Sequence, residues 1–331
     1  MRLGLIARAD SRGLGIQTKA VHDHLHPAKT MVIDCPSQKP LPIRRDWYSD
    51  ATWIKGLPRA QDFRKWLHGL DVVYTAETGY GDALWTEAKR AGVKTVLHCN
   101  PEFLNRRDRP DLWLAPTTWM WDTLPDPKVL LRVPITPGPP RRPEITPHFL
   151  HVVGRPAIHD RNGTLDLLQS LRHVTENITV TVRCQEAGYV SGLIGEHRIH
   201  TPPNVVLRVE SGDVKNNRDL YTEGDILVMP RRFGGLCLPA QEAIAAGMPV
   251  LMPAISPNEW LPSEWLFPAV EAGSFMAKQR VTYYRTNPEV LAAKLDEYAT
   301  HPPSTWAEDV QLLQHELSWD HWKPIYREVL S

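Results

Sequence analysis

The stretch Thr136–Pro147, TPGPPRRPEITP, holds five prolines and no apolar periodicity, and it constrains this chain more than any other. Proline fixes φ and has no N–H to give to a helix or a ladder, so the stretch reads as a stiff linker. On each side of it, short apolar runs alternate with helix-length segments. Before it, Leu3–Ala7, Thr30–Asp34, Asp71–Thr75, Thr95–His98, Leu112–Ala115 and Val129–Val133 read as strands. The helices between them run to about Leu25, over Gly81–Ala91 and, briefly, near Thr118–Leu124. After it, Phe149–Val153, Thr179–Arg183, Val205–Val209, Asp225–Met229 and Val250–Met252 read as strands, with helices over Gly163–His173 and Ala240–Ala246. Strands that are apolar almost throughout, alternating with helices, predict parallel sheets covered on both faces. The expectation is an α/β chain of two doubly wound domains, 1–136 and 148–308, joined by the linker 137–147 and facing across a cleft. The tail Asp309–Leu330 is amphipathic at near-helical spacing and predicts a terminal helix over 309–331, broken near Pro324.

Composition narrows the class. Apolar residues make up 42% and charged residues 23% of the 331, and the formal net charge is zero. That is a soluble globular composition, without the basic excess expected of a nucleic-acid binder. The pairs Arg44-Arg45, Arg106-Arg107, Arg141-Arg142 and Arg231-Arg232 read as solvated surface or as a local patch. Cys35, Cys99, Cys184 and Cys237 form no C-x-x-C pair or zinc spacing and read as free thiols in a reducing compartment. The chain opens directly on a short strand and has no bilayer-length apolar run, so a cytoplasmic protein is expected.

Three loops carry the chemistry. Asp225–Met252, DILVMPRRFGGLCLPAQEAIAAGMPVLM, reads as strand, glycine-containing loop (Pro230–Pro239), helix and second apolar run. Glycine admits a ligand close to the backbone, and the first helical N–H groups have no partners within the helix, so this order makes an anion site. Glu242 lies in that helix, either as a favourable charge near its N-terminus or as an acceptor for ligand hydroxyls. In Arg8–Gln17, RADSRGLGIQ, Gly13 and Gly15 leave room for a phosphate or simply make a tight strand-to-helix turn. His98 and Glu77 both follow predicted strand ends, and Glu102 stands four residues after His98. The many Trp residues suit core or sugar-stacking roles alike, and no single one stands out.

The string around Glu242 resembles the donor-binding signature of retaining, nucleotide-sugar-dependent glycosyltransferases of the GT-B fold, especially glycosyltransferase family 4. That pattern runs E-G-F-G-L-P-x-x-E-A-(M/I)-A-x-G-x-P-V. Glu242-Ala243-Ile244-Ala245-Ala246-Gly247-Met248-Pro249-Val250 match its second half, while Gly234 stands where the first Glu is expected. Phe149–Ser170 is similar to the family's opening second-domain motif. Gly154-Arg155 match it, Asn162 holds the slot of a usual Lys, and Arg161 lies one residue earlier.

The resemblance implies two Rossmann-like domains, the first for the acceptor and the second for the donor, with the last helix crossing back onto the first. It implies donor contacts from Gly13, Gly15, Arg155, Arg161, Gly234, Gly235, Leu236, Cys237 and Glu242, Glu242 holding the ribose hydroxyls. It assigns catalytic roles to His98, Arg155 and Arg161, and an acceptor contact to Glu102. The implied reaction is sugar transfer from a nucleotide-diphosphate sugar to an acceptor hydroxyl with retention, needing neither metal nor cofactor. The alternative is a catalytically inactive nucleotide-sugar or glycan-binding GT-B module, for which Gly234 speaks. Arg231 and Arg232 fit as compensation for the missing carboxylate if the donor carries an acidic group.

Overall fold

The computed structural model describes residues 1–35, 42–105, 107–139, 141 and 147–331. Arg106 and most of the predicted linker, 140 and 142–146, lie outside the described residues, as do 36–41. The chain separates into two compact units. One comprises Met1–Pro134, Ala277–Gln279 and Trp319–Ser331; the other comprises Ile135–Met276 and Arg280–Ser318.

The first unit runs β1 (Leu3–Ala7), α1 (Gly13–Leu25), β2 (Lys29–Asp34), β3 (Thr52–Lys55), α2 (Ala60–Leu67), β4 (Val72–Ala76), α3 (Ala83–Ala91), β5 (Lys94–His98), β6 (Leu112–Ala115) and β7 (Lys128–Leu130). All seven strands are parallel, in the order β3-β2-β1-β4-β5-β6-β7. β1 and β4 are buried at every residue. Side chains alternate across such a sheet, so Leu3, Leu5 and Ala7 of β1 join one core while Ile6 joins another. The Ile6 core takes Phe63 and Trp66 of α2 and Leu84 and Trp85 of α3. The Leu5 core takes Val21 of α1 and, from the end of the chain, Trp319, Tyr326 and Leu330.

The second unit repeats the plan: β8 (His148–Gly154), α4 (Thr164–Ser170), β9 (Ile178–Cys184), α5 (Tyr189–Glu196), β10 (Val205–Ser211), β11 (Ile226–Val228), α6 (Leu238–Ala245), β12 (Val250–Pro253) and β13 (Leu266–Phe267). Its six-stranded sheet is parallel, in the order β10-β9-β8-β11-β12-β13. An antiparallel hairpin, β14 (Val270–Met276) and β15 (Arg280–Arg285), follows it, and then α7 (Pro288–Thr300), α8 (Trp306–Glu316) and α9 (Trp319–Leu330).

The tail differs from the single helix predicted over 309–331. It is two helices that part at Leu317–Ser318, and Pro324 sits inside the second. Leu317 and Ser318 are held elsewhere: Ile135 N donates to Leu317 O at 2.8 Å, and Ile135 bridges to Ser318. Backbone groups engaged by another segment cannot continue a helix. β3, α2, α5 and the hairpin were not legible in the sequence. β3 is an edge strand and the hairpin is largely exposed, so neither shows a strong apolar pattern. All four cysteines are free, with Cys99, Cys184 and Cys237 buried. Among the described residues no helix is long and apolar enough to cross a membrane.

Candidate donor site

In both sheets the chain leaves the first and fourth strands toward opposite edges, so the loops after those strands part at a shared crevice where α/β proteins bind ligands. In the second unit these are the loops after β8 and after β11. They are locked together. Arg232 N donates to Arg161 O at 2.8 Å, and the Arg232 guanidinium donates to His159 O at 3.2 Å. The same guanidinium grips Asp166 of α4 with two bonds of 3.1 and 2.6 Å. Arg285 of β15 reaches the same carboxylate at 3.1 Å, and Tyr284 N donates to Arg232 O. Gly163 is required where the loops meet: a Cβ there would lie 1.8 Å from the carbonyl oxygen of Pro230, and its φ is +69°.

The two helix starts facing this crevice are not equivalent. At α4 the Asp160 carboxylate accepts from the amides of Thr164 and Leu165, at 3.0 and 2.9 Å, which fills that end. At α6 no side chain caps the helix. Among the described residues the amides of Gly234, Gly235, Leu236 and Cys237 donate to no protein acceptor. Gly234, Gly235 and Cys237 are buried and Leu236 is half-buried. Buried amides are almost always paired, so four successive open donors ahead of a helix form a ready anion site. The Arg161 guanidinium lies over the Phe233 ring, 5.4 Å from its centre, and closes one side of the loop.

Glu242 is in the second turn of α6, past the first turn where a helix-terminus charge acts, which corrects that reading of its position. Its carboxylate accepts from Asn217 Nδ2 at 2.5 Å and Tyr221 OH at 2.6 Å. Burial raises its pKa to about 7, against the lowering effect of those two bonds.

No protein-family model and no curated protein sequence matches the chain. Solved structures do. The apo lipopolysaccharide outer core galactosyltransferase WaaB is 13% identical, with a TM-score of 0.69 over 99% of this chain and 98% of its own. Anabaena HepE in complex with UDP is 11% identical, with a TM-score of 0.74 over 100% and 99%. A UDP-forming trehalose-phosphate synthase from Burkholderia xenovorans, in complex with glucose-6-phosphate, is 11% identical, with a TM-score of 0.65 over 100% of both chains. The fold is GT-B.

Within this GT-B chain the other predicted site residues fall in different settings. Arg155, directly after β8, is exposed, with Nε 3.8 Å from a carboxylate oxygen of Glu186. Asn162 spends its amide on Val153 O, which closes the loop on its own strand. Gly15 is explained by local packing, since a Cβ would lie 1.9 Å from Asp10 O; Gly13 opens α1 in the same tight turn.

His98 ends β5. It is 2% exposed, in the core of the first unit. Nδ1 meets Tyr74 OH at 2.8 Å and Gln17 Nε2 at 3.3 Å, and burial drops its pKa to about 3. Those partners take up Nδ1, while the buried Nε2 makes no hydrogen bond among the described residues. The place of His98 at a strand end hid its burial, because sequence alone does not show that α9 covers that strand: Tyr326 packs 6.5 Å from the His98 ring. Glu102 is buried in a 3-10 turn, Pro101–Phe103. Glu77 adopts a left-handed backbone, φ +59°, just after β4 and accepts from Asn100 Nδ2 at 2.9 Å.

Arg232 is likewise consumed by Asp166 and leaves Arg231 as the arginine of that pair still to be explained. A separate polar cavity of about 400 Å³ opens among residues that start β8 and precede β11, His148 and Asp225 included. Its lining also takes in Arg183 and Glu210, late in β9 and β10, and Arg183 is paired with Glu223.

Proposed function

We propose that this chain is a glycosyltransferase that moves a sugar from a nucleoside-diphosphate sugar to an acceptor hydroxyl with retention of configuration. The observation that carries the reading is the run of open amides from Gly234 to Cys237 at the switch point of the second sheet, flanked by the Arg161 guanidinium. A departing diphosphate gathers negative charge, and preorganised donors in a loop of low polarity stabilise it most. Arg155, on the loop after β8, adds a second cation for the same diphosphate. The Glu242 carboxylate has acceptor sites beyond those used by Asn217 and Tyr221, and it holds the ribose hydroxyls.

In this reading 148–308 is the donor domain and 1–136 the acceptor domain. The acceptor hydroxyl attacks the sugar face from which the diphosphate leaves. Retention, transfer without a metal and a cytoplasmic setting follow from the resemblance of Gly154-Arg155 and Glu242–Val250 and belong to the proposal. HepE in complex with UDP and with UDP-glucose supports a uridine donor for a chain of this fold.

Thermal unfolding in the presence of UDP, GDP, ADP and their hexose conjugates tests this. A ligand at a hundredfold excess over its Kd stabilises the protein by about 2.7 kcal/mol, so a true donor raises Tm clearly. Glu242→Gln should weaken that nucleotide at least tenfold while the protein still folds. No shift with any nucleotide would reject a donor site.

A further inference from the structure

Arg231, on the loop after β11, carries a charge that no carboxylate among the described residues answers. It is 6% exposed. Its Nε donates to Phe233 O at 2.9 Å, and among the described residues it has no carboxylate partner. Its neighbour Arg232 shows how the same loop treats a buried cation that serves the fold, with Asp166 on its fork at 2.6 Å and Asp160 at 3.5 Å. A buried charge without a counter-charge is costly, and a second cation nearby adds repulsion.

That second cation is present. A Cβ built on Gly234 would lie 2.5 Å from Arg231 Nη2 and 2.3 Å from Arg161 Nη2, so both guanidinium tips converge on one point. Glycine at 234, with no side chain, lets both tips lie against its backbone. The wall around it is aromatic: Phe233 lies under Arg161 and packs 5.0 Å from Phe275, which meets the His159 ring at 4.4 Å. Such surroundings hydrate an ion poorly.

We propose that Arg231 receives an anionic group on the transferred sugar, with Arg161 shared between that group and the diphosphate, so that the donor is a nucleoside-diphosphate sugar acid, a hexuronate in the simplest case. This rests on the donor-site reading above. The open amides from Gly234 to Cys237 already offer four donors to a diphosphate, and Glu242 lies beyond them on α6 for the nucleoside. Arg231 precedes them, on the strand side, so a ligand laid along the loop turns its glycosyl end toward Arg231. A planar carboxylate fits between two guanidinium forks and satisfies both.

Calorimetry with UDP, UDP-glucose and UDP-glucuronate, and with GDP, GDP-mannose and GDP-mannuronate, decides it. For whichever base binds, the wild-type protein should take the hexuronate at least tenfold more tightly than the neutral hexose. Arg231→Met should reduce that preference to below threefold while affecting the bare nucleoside diphosphate far less. Arg231→Lys keeps the charge and loses the fork, so its preference should fall between the two. Should the Met variant not fold, an unchanged preference in Arg231→Lys overturns the proposal. Equal wild-type affinity for hexose and hexuronate overturns it too. Equal weakening of all three ligands by either variant shows that the arginines serve the diphosphate; the proposal then falls and the donor reading stands. If neither UDP nor GDP binds the wild type, the hexuronate proposal falls, and the donor reading falls with it when ADP also leaves Tm unchanged.

Discussion

Gly163 and Gly234 both have positive φ, and they are glycine for opposite reasons. At 163 a side chain would strike the backbone of Pro230, which cannot move without parting two loops. At 234 it would meet the ends of two flexible arginines, Arg161 and Arg231, which the missing side chain lets approach the backbone. Burial moves the pKa values of His98 and Glu242 toward their neutral forms, and the pH dependence of stability separates them. The folded pKa of His98 is about 3, below its ordinary 6.5, so its contribution to stability is complete above pH 6.5 and is lost as pH falls toward 3. His98→Gln should therefore flatten the acid side of the stability curve, measured by urea unfolding between pH 3 and 7. An unchanged slope would remove His98 from the acid response. Glu242 has the opposite sign: with its pKa raised to about 7, its contribution to stability declines as pH rises from about 4.5 to about 7.

Among the elements, α4, β15 and the loops after β8 and β11 are held by one buried carboxylate. Asp166 is fully buried and accepts from Arg232 and Arg285 and, at 3.4 Å, from Thr286 N. Asp166→Ala should destabilise the second unit by about 3–5 kcal/mol, because it strands a buried guanidinium, and chemical denaturation should show it. A loss under 1 kcal/mol would mean that Arg232 finds another partner. None of this network was legible in the sequence. Asp166 and Arg232 are far apart in the chain, and a charge within a helix ordinarily reads as solvated. The glycine-containing loop and the helix after it were legible, because glycine spacing and an apolar strand are local signals.

At the scale of the molecule, the end of the chain completes the unit that the start begins. Tyr326 is fully buried against Tyr74, and its hydroxyl donates to Arg132 O at 3.0 Å. His24 of α1 stacks on Trp319 at 4.5 Å. Tyr326→Ala should destabilise the first unit by about 3–5 kcal/mol. Hydrogen exchange should then lose protection in β1 and β4 and keep it in β8 and β11. Equal loss in both units would show that they unfold together.

The sequence by itself determined the two βα-repeating halves and the glycine-containing loop that leads into the helix of Glu242. Each is written in residues close along the chain, as apolar periodicity and glycine spacing. Only the tertiary structure decided which candidates meet. It buried His98 beneath α9, spent Arg232 on Asp166, parted the tail at Leu317–Ser318 and brought Arg161 and Arg231 to Gly234. Those outcomes depend on contacts between distant segments and on which polar groups burial leaves to one another, and no local pattern records either.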